Sequence, residues 1–269
     1  MWIKRSPVRA GEAVPPHIAG VAPIKLAAIS DIHGNIDALN AVLADIERRG
    51  VDRIVNLGDS LSGPFDAVAT ADRLMVLDVP TVSGNHDRQL IDRPKSKMSP
   101  WEAWAIDDLS ETHLDWLRAL PKTLALGDVF LCHATPEKDD ENWLDRRGPD
   151  ARPVARDLVG ILERVGDADA ELILCGHTHT PRSVQLPDGR RIVNPGSVGC
   201  PGYFDTRFDP PFVHQTGSSD ARYAIAEKRS AVWHVDHLSV PYDTSEMARL
   251  AKAKGADNWV KAITTAWYT

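Results

Sequence analysis

Residues 24–50 read IKLAAISDIHGNIDALNAVLADIERRG, and residues 53–59 read RIVNLGD. The apolar run from Ile24 ends at Ser30 and Asp31, which is the pattern of a buried strand with a polar end. Ile36, Leu39, Val42, Leu43 and Ile46 then recur at helical spacing, and Gly50 supplies a stop. RIVNLGD is a second strand. FDAVATADRLMVL (65–77) reads as a second helix and PTVSGN (80–85) as a third strand. Strands alternating with helices over short links predict a parallel sheet.

Working outward, the proline-broken stretch 1–22 reads as an irregular N-terminal arm, and 23–269 as one domain. Within that domain the rhythm changes over about 88–121. SPWEAWAIDDL and SETHLDWLRALP carry Trp101, Trp104 and Trp116 at helical spacing, the mark of an inserted helical cap. Ser110 with His113 is only a partial capping pattern. Strands resume with TLAL (123–126), DVFLCHA (128–134) and AELILCGH (170–177), with a helix predicted over 153–165. SVQLPDGRRIVNPG is a hairpin turning at Pro187-Asp188-Gly189, and RYAIAEK with SAVWHVDHL a second one. Residues 243–268 read as helical.

Bulk properties exclude several function classes. The 269 residues carry 31 Lys and Arg against 38 Asp and Glu, a net charge of −7, with no basic stripe. Binding of nucleic acid through a basic surface is therefore not expected. No run approaches a membrane span, and MWIKRSPVRAGEAVPPHIAG lacks the apolar centre of a secretory signal. Three scattered cysteines, Cys132, Cys175 and Cys200, make no disulfide framework, so a cytoplasmic setting is expected.

The chemistry sits where apolar runs end. Asp31 and His33 close the first as D-x-H, and Asp59 closes the second. Asn85, His86 and Asp87 close the third, His133 a later one, and His177 and His179 the next as G-H-T-H. The carboxyl ends of parallel strands point to one edge of a sheet, so these groups can converge there. One such residue alone is a turn former. Five of the ten histidines with two aspartates and an asparagine are not explained by turns, because buried polar groups need partners. Metal ions partner all of them at once. Mixed nitrogen and oxygen donors suit Mn, Fe, Zn, Ni or Co rather than Ca. Two divalent ions against Asp31 and Asp59 leave a local charge of about +2, which lets an acidic protein hold a phosphate.

D-x-H, G-D, G-N-H-D, an isolated H and G-H-T-H, in that order over residues 31–179, resemble the motif set of the calcineurin-like metallophosphoesterases. NPGSVG (194–199) and ARYAIAE (221–227) are similar to the small bacterial YfcE-type phosphodiesterase branch. The resemblance implies an α/β fold, a two-sheet α-β-β-α sandwich with a small helical cap. It implies one metal on Asp31, His33 and His179, another on Asn85, His133 and His177, and Asp59 bridging the two; Mn is the expected metal. It also implies attack on phosphorus by a hydroxide bridging the metals, with His86 facing the phosphate of a small phosphorylated substrate. Asp87 either orients a nearby imidazole or is a plain cap residue.

CPGYFDTR (200–207) departs from the Gln-Pro-Arg expected of that branch, so substrate choice stays open, with Arg88 or Arg207 as stand-ins for the missing arginine. Cys132 and Cys175 read as core. Cys200 reads as an inert loop cysteine, with a redox-sensitive residue as the alternative. The cap tryptophans read as core packing, with an aromatic wall as the alternative. EKDDEN (137–142) reads as a solvated acidic loop. The leading function is metal-dependent hydrolysis of a phosphodiester or phosphomonoester, with a Ser/Thr protein phosphatase or a dinucleoside polyphosphate hydrolase within the same class. The alternative class is a catalytically silent scaffold, similar to the retromer subunit of this fold. The sequence leaves the oligomeric state open.

Overall fold

A computed structural model describes residues 24–206 and 208–267. The arm expected over 1–22 and Arg207 lie outside the described residues. In chain order the elements are β1 (Lys25–Ile29), α1 (Ile36–Arg48), β2 (Arg53–Asn56), α2 (Ala67–Leu77), α3 (Asn85–Asp92), a 3-10 turn (Lys95–Lys97), α4 (Pro100–Ile106) and α5 (Glu111–Ala119). There follow β3 (Thr123–Leu126), β4 (Val129–Cys132), β5 (Asp145–Arg147), β6 (Pro153–Ala155), α6 (Leu158–Leu162), β7 (Leu172–Leu174), β8 (Arg182–Gln185) and β9 (Arg191–Asn194). The last are β10 (Gly202–Asp205), β11 (Phe212–Gln215), β12 (Ala221–Arg229), β13 (Val232–Val240), α7 (Ser245–Ala253) and α8 (Asp257–Thr265).

Two sheets form the body, ordered β13-β12-β1-β2 and β3-β4-β7-β9-β8. Each is mixed rather than parallel throughout. β1 runs parallel to β2 but antiparallel to β12, and β4, β7 and β9 are parallel while β3 and β8 close the edges antiparallel. Part of the reason is local, since hairpins such as β8–β9 and β12–β13 can only add antiparallel strands, but β1 meets β12 from the far end of the chain. Alternation along each strand then sorts side chains to two faces. Leu26 and Ala28 of β1 meet Leu172 and Leu174 of β7 in the layer between the sheets, while Ala27 and Ile29 turn outward onto Leu39, Val42 and Ile46 of α1. On the far face of the second sheet, Cys132, Ile173 and Cys175 pack with Trp143 and Ile161 of α6. That is the α-β-β-α sandwich, and Cys132 and Cys175 are core within it.

Two expected elements change. PTVSGN forms only an isolated bridge, Thr81 to Asn56, because α3 begins at Asn85 and takes the end of the run. The helix predicted over 153–165 is β6 followed by the short α6. Pro153, Val154 and Ala155 pair with β5, and the Asp157 carboxylate caps the helix by accepting from Gly160 N at 2.8 Å. Among the cap helices, Leu90, Ala105 and Leu117 pack on Leu61, Ala67 and Ala71. The Ser110–His113 pattern does close: Ser110 N donates to His113 Nδ1 at 3.2 Å and His113 N to Ser110 Oγ at 3.4 Å.

Candidate metal centre

The loops leaving β1, β2, β4 and β7 meet at one edge of the sandwich. Their turns are sharp: Asp31, His33, Asp59, His177 and His179 have φ of 54°, 52°, 54°, 68° and 55°. Left-handed backbone at a residue with a side chain costs on the order of 1–3 kcal/mol, and such strain concentrates at functional sites. Two glycines let the loops close. A Cβ at Gly84 would stand 2.1 Å from Asp59 Oδ1, and one at Gly176 would stand 2.0 Å from Ser30 Oγ and 2.8 Å from Asp31 Oδ2. The NPGSVG segment fastens the same loops. Ser197 Oγ donates to Asp31 O at 2.7 Å, Gly199 N to Asp31 O at 3.1 Å, and Asn194 Nδ2 to Gly176 O at 2.6 Å.

The side chains gather in two groups, Asp31 with His33 and His179, and Asp59 with His133 and His177, with the donor atoms of each group within 4.8 Å of one another. His133 Nε2 lies 3.2 Å from Asp59 Oδ2 and 4.0 Å from Asp31 Oδ1, so the groups adjoin. Three imidazoles have a fixed tautomer. His33 Nδ1 faces Ser62 O at 3.1 Å, His133 Nδ1 faces Leu57 O at 2.7 Å, and His179 Nδ1 faces Cys200 O at 3.0 Å. A carbonyl only accepts, so Nδ1 carries a hydrogen and Nε2 is the nitrogen turned inward, where it can give its lone pair to a cation in place of a proton. The inward atoms crowd together. His33 Nε2 is 3.2 Å from His179 Nε2, which is 3.2 Å from Asp31 Oδ1, and that buried oxygen has no hydrogen-bond partner among the described residues.

Asn85 repeats the pattern. Its inward amide atom sits 3.0 Å from His177 Nδ1 and 3.2 Å from His133 Nε2. Turned with NH2 inward it donates to both; turned with oxygen inward it adds another lone pair, stable only around a cation. Buried carboxylate and imidazole groups crowded into two adjoining sets fit divalent cations. The charge balance agrees. Burial raises Asp31, but His179 and His133 outweigh it and hold the carboxyl at about 2, and Asp59 lies well below the ordinary range for the same reason, with His133 and His86 beside it. Burial disfavours the His133 cation, yet Asp59 pushes its pKa to about 10. Burial, then His179, lowers His33 to about 3, and burial with His133 lowers His177 to about 4. Two buried carboxylates demand positive charge, and cations satisfy that demand in place of protons.

His86 stands at the rim with its side chain 18 % exposed. Its backbone N–H donates to Asp59 Oδ1 at 2.8 Å. Asp87 does not orient an imidazole. Its carboxylate accepts from Asp59 N at 2.7 Å, Ser60 N at 2.9 Å and Gly84 N at 3.0 Å, tying the Asp59 loop to the first turn of α3. Arg88 is bound in a fork to Asp139 of the acidic run at 2.6 and 2.9 Å, so it is not a free stand-in for the missing arginine. Cys200 is buried; its carbonyl, not its thiol, serves the site by holding His179.

One flank is legible in the sequence only in part: the cap tryptophans carry the aromatic-wall alternative, while Trp259 and Tyr203 went unread. Trp101 stacks on the His86 ring, 4.8 Å between centroids at 10°, and meets His33 edge-on at 5.0 Å. Trp259 of α8 lies 4.5 Å from Trp101 and 5.8 Å from His33, and Tyr203 of β10 lies 5.0 Å from His179. Of the cap tryptophans, Trp101 thus walls the site, while Trp104 and Trp116 pack into hydrophobic clusters. Glu102 also went unread, although Ser99-x-x-Glu102 is a capping-box spelling that marks the start of α4.

Residues 24–211 match the Calcineurin-like phosphoesterase superfamily domain. The Methanocaldococcus jannaschii protein MJ0912 is 27% identical over 241 residues, 81% of this chain and 88% of its own. A crystal structure of a metallophosphoesterase from Sphaerobacter thermophilus superposes with a TM-score of 0.69 at 25% identity, covering 91% of this chain and 100% of its own. The hypothetical protein PH1004 from Pyrococcus horikoshii shares the fold, with a TM-score of 0.67 at 16% identity and the same coverage. With a family match over most of its length laid on a sheet edge that gathers two groups of candidate metal ligands, the chain belongs to the calcineurin-like phosphoesterases, a divalent-metal-dependent superfamily.

Proposed function

We propose that this protein hydrolyses a phosphodiester or phosphomonoester of a small molecule, with two divalent cations held by Asp31, His33 and His179 on one side and Asn85, His133 and His177 on the other, Asp59 between them. Bound there, such cations neutralise phosphoryl oxygens and lower the pKa of water. Mn fits the mixed donor set, as do Fe, Zn, Ni and Co.

The observation that carries this reading is the convergence of ligand atoms: three Nε2 atoms turned inward by carbonyls on Nδ1, crowded against the buried carboxylates of Asp31 and Asp59. The chain's own residues then divide the work. Carbonyls of Leu57, Ser62 and Cys200 orient the imidazoles. His86, with Nε2 making no hydrogen bond among the described residues, faces outward to a phosphoryl or leaving-group oxygen and can give it a proton. Trp101, Trp259 and Tyr203 close the flank beside His33 and His179, so substrate approaches from the side of Asn85, His86 and His177.

The test is metal-stripped protein reloaded with Mn²⁺ and assayed on bis-(p-nitrophenyl) phosphate, p-nitrophenyl phosphate, cyclic nucleotides and dinucleoside polyphosphates. Turnover of one ester class that vanishes with chelator supports the reading. Silence across the panel with every metal supports a binding scaffold instead.

A further inference from the structure

His86 is held by the cap, not by the motif that spells it. Its Nδ1 hydrogen-bonds to Glu102 Oε1, and Glu102, on α4, is fully buried. The other carboxylate oxygen accepts from Ser99 N at 2.8 Å and Ser99 Oγ at 2.6 Å. Trp101, next in the chain, lies flat on the same imidazole. A capping box needs one carboxylate oxygen and normally sits in solvent, whereas a buried carboxylate is costly unless both oxygens are bonded. Burial pushes the Glu102 carboxyl up, but the bond to His86, its charge and the Ser99 bonds outweigh it and lower the carboxyl.

We infer that Glu102 is a positioning residue: it accepts the His86 Nδ1–H, fixes the ring plane against Trp101, and thereby aims Nε2 at the leaving-group oxygen. The inference deepens the hydrolytic reading above and rests on it for its kinetic consequence. The proton that leaves with the alcohol departs from Nε2 of the His86 imidazolium, which becomes the neutral ring with its hydrogen on Nδ1; Glu102 keeps its bond to Nδ1–H throughout and loses no atom. Esters with a poor leaving group need that proton and esters with a good one do not. The cap insertion is on this account part of the machinery and not only a lid on it.

The experiment compares wild type, Glu102→Ala and Glu102→Gln on phenyl and p-nitrophenyl esters of one phosphate class, with Mn²⁺. Glu102→Ala should lower kcat on the phenyl ester by about 10–10²-fold and on the p-nitrophenyl ester by less than about 3-fold, with KM little changed. Glu102→Gln keeps an oxygen for Nδ1–H and should recover part of the phenyl-ester rate. A second readout needs no turnover: ¹⁵N shifts of the His86 ring in metal-free protein should show a pinned Nδ1–H in wild type, lost in Glu102→Ala and retained in Glu102→Gln. Equal loss on both esters, or an unchanged His86 spectrum in a folded variant, overturns the inference. A wild type inert on every ester overturns the hydrolytic reading alone, and the spectra then decide the positioning role by themselves.

Discussion

The ligand loops and the aromatic flank meet at His86, yet they are built by different physics. The loops are held by backbone: five left-handed residues, glycines with no room for a Cβ, and carbonyls that pin imidazoles. The flank is held by packing: Trp101, Trp259 and Tyr203, from α4, α8 and β10, are residues 56 or more positions apart in the chain, and Trp101 meets both of the others ring to ring. The difference teaches that the donor set tolerates almost no change in shape, while the wall beside it tolerates change at modest cost. It also explains why the two regions carry different kinds of residue. Strained turns need small or locally bonding side chains, and a wall needs area.

The sharpest way to break that contrast is at Asp59. Asp59→Ala removes the carboxylate between the two groups, so bound metal should fall below two ions per chain and kcat should drop by at least about 10³-fold. Metal analysis alongside the rate checks both. His86→Ala comes next: it leaves every donor in place, so metal content should hold while kcat falls by about 10²–10⁴-fold. A variant that lost its metal as well would put His86 among the loops rather than at the rim.

Gly84→Ala tests the tolerance of the loops directly. The new Cβ would overlap Asp59 Oδ1, and the shift required should destabilise the protein by about 1–3 kcal/mol and weaken metal binding by about 10–100-fold. Calorimetric metal titration measures it, and a variant binding metal as tightly as wild type would show the loops to be more pliant than their strain implies. Trp101→Leu makes the matching change in the wall. Loss of a stacked ring removes about 0.5–1.5 kcal/mol, so kcat should fall by about 2–12-fold with metal retained.

The smallest effect on activity is expected in the scaffold that carries both regions. Asp45 of α1 accepts from Tyr223 Oη at 2.6 Å, Arg48 at 2.8 Å and Arg49 at 2.7 Å. Burial raises its carboxyl, but these bonds win and hold it at about 2. The folded pKa lies below the unfolded one, so the stabilisation is present above about pH 4 and is lost as pH falls from there through about 2, worth on the order of 2 kcal/mol in all. Denaturant unfolding of Asp45→Asn and wild type should therefore differ near neutral pH and converge towards pH 2, with kcat at neutral pH the same in both.

How much of this was legible follows the same division. Asp31, His33, Asp59, Asn85, His133, His177 and His179 stand directly after apolar runs, and a strand end fixes where a side chain goes within one or two residues. Their grouping at one sheet edge was readable for that reason. The antiparallel meeting of β1 with β12 and the replacement of PTVSGN by a single bridge were not, because those pairings are decided by partners outside the run itself. Asp87 was readable as polar and near the site, but its three backbone amides could be counted only once the Asp59 loop lay beside it.

The sequence by itself determined the strand ends, the helix α1, the hairpins and the residue types able to bind metal, since each of these depends on neighbours a few positions away. Only the tertiary structure decided which imidazole nitrogen faces inward, that Cys200 serves through its carbonyl, that Arg88 is taken by Asp139, and that Glu102 and Trp101 of the cap hold His86. Those depend on which groups meet across more than ten intervening residues, and a chain spells its local preferences far more plainly than its distant contacts.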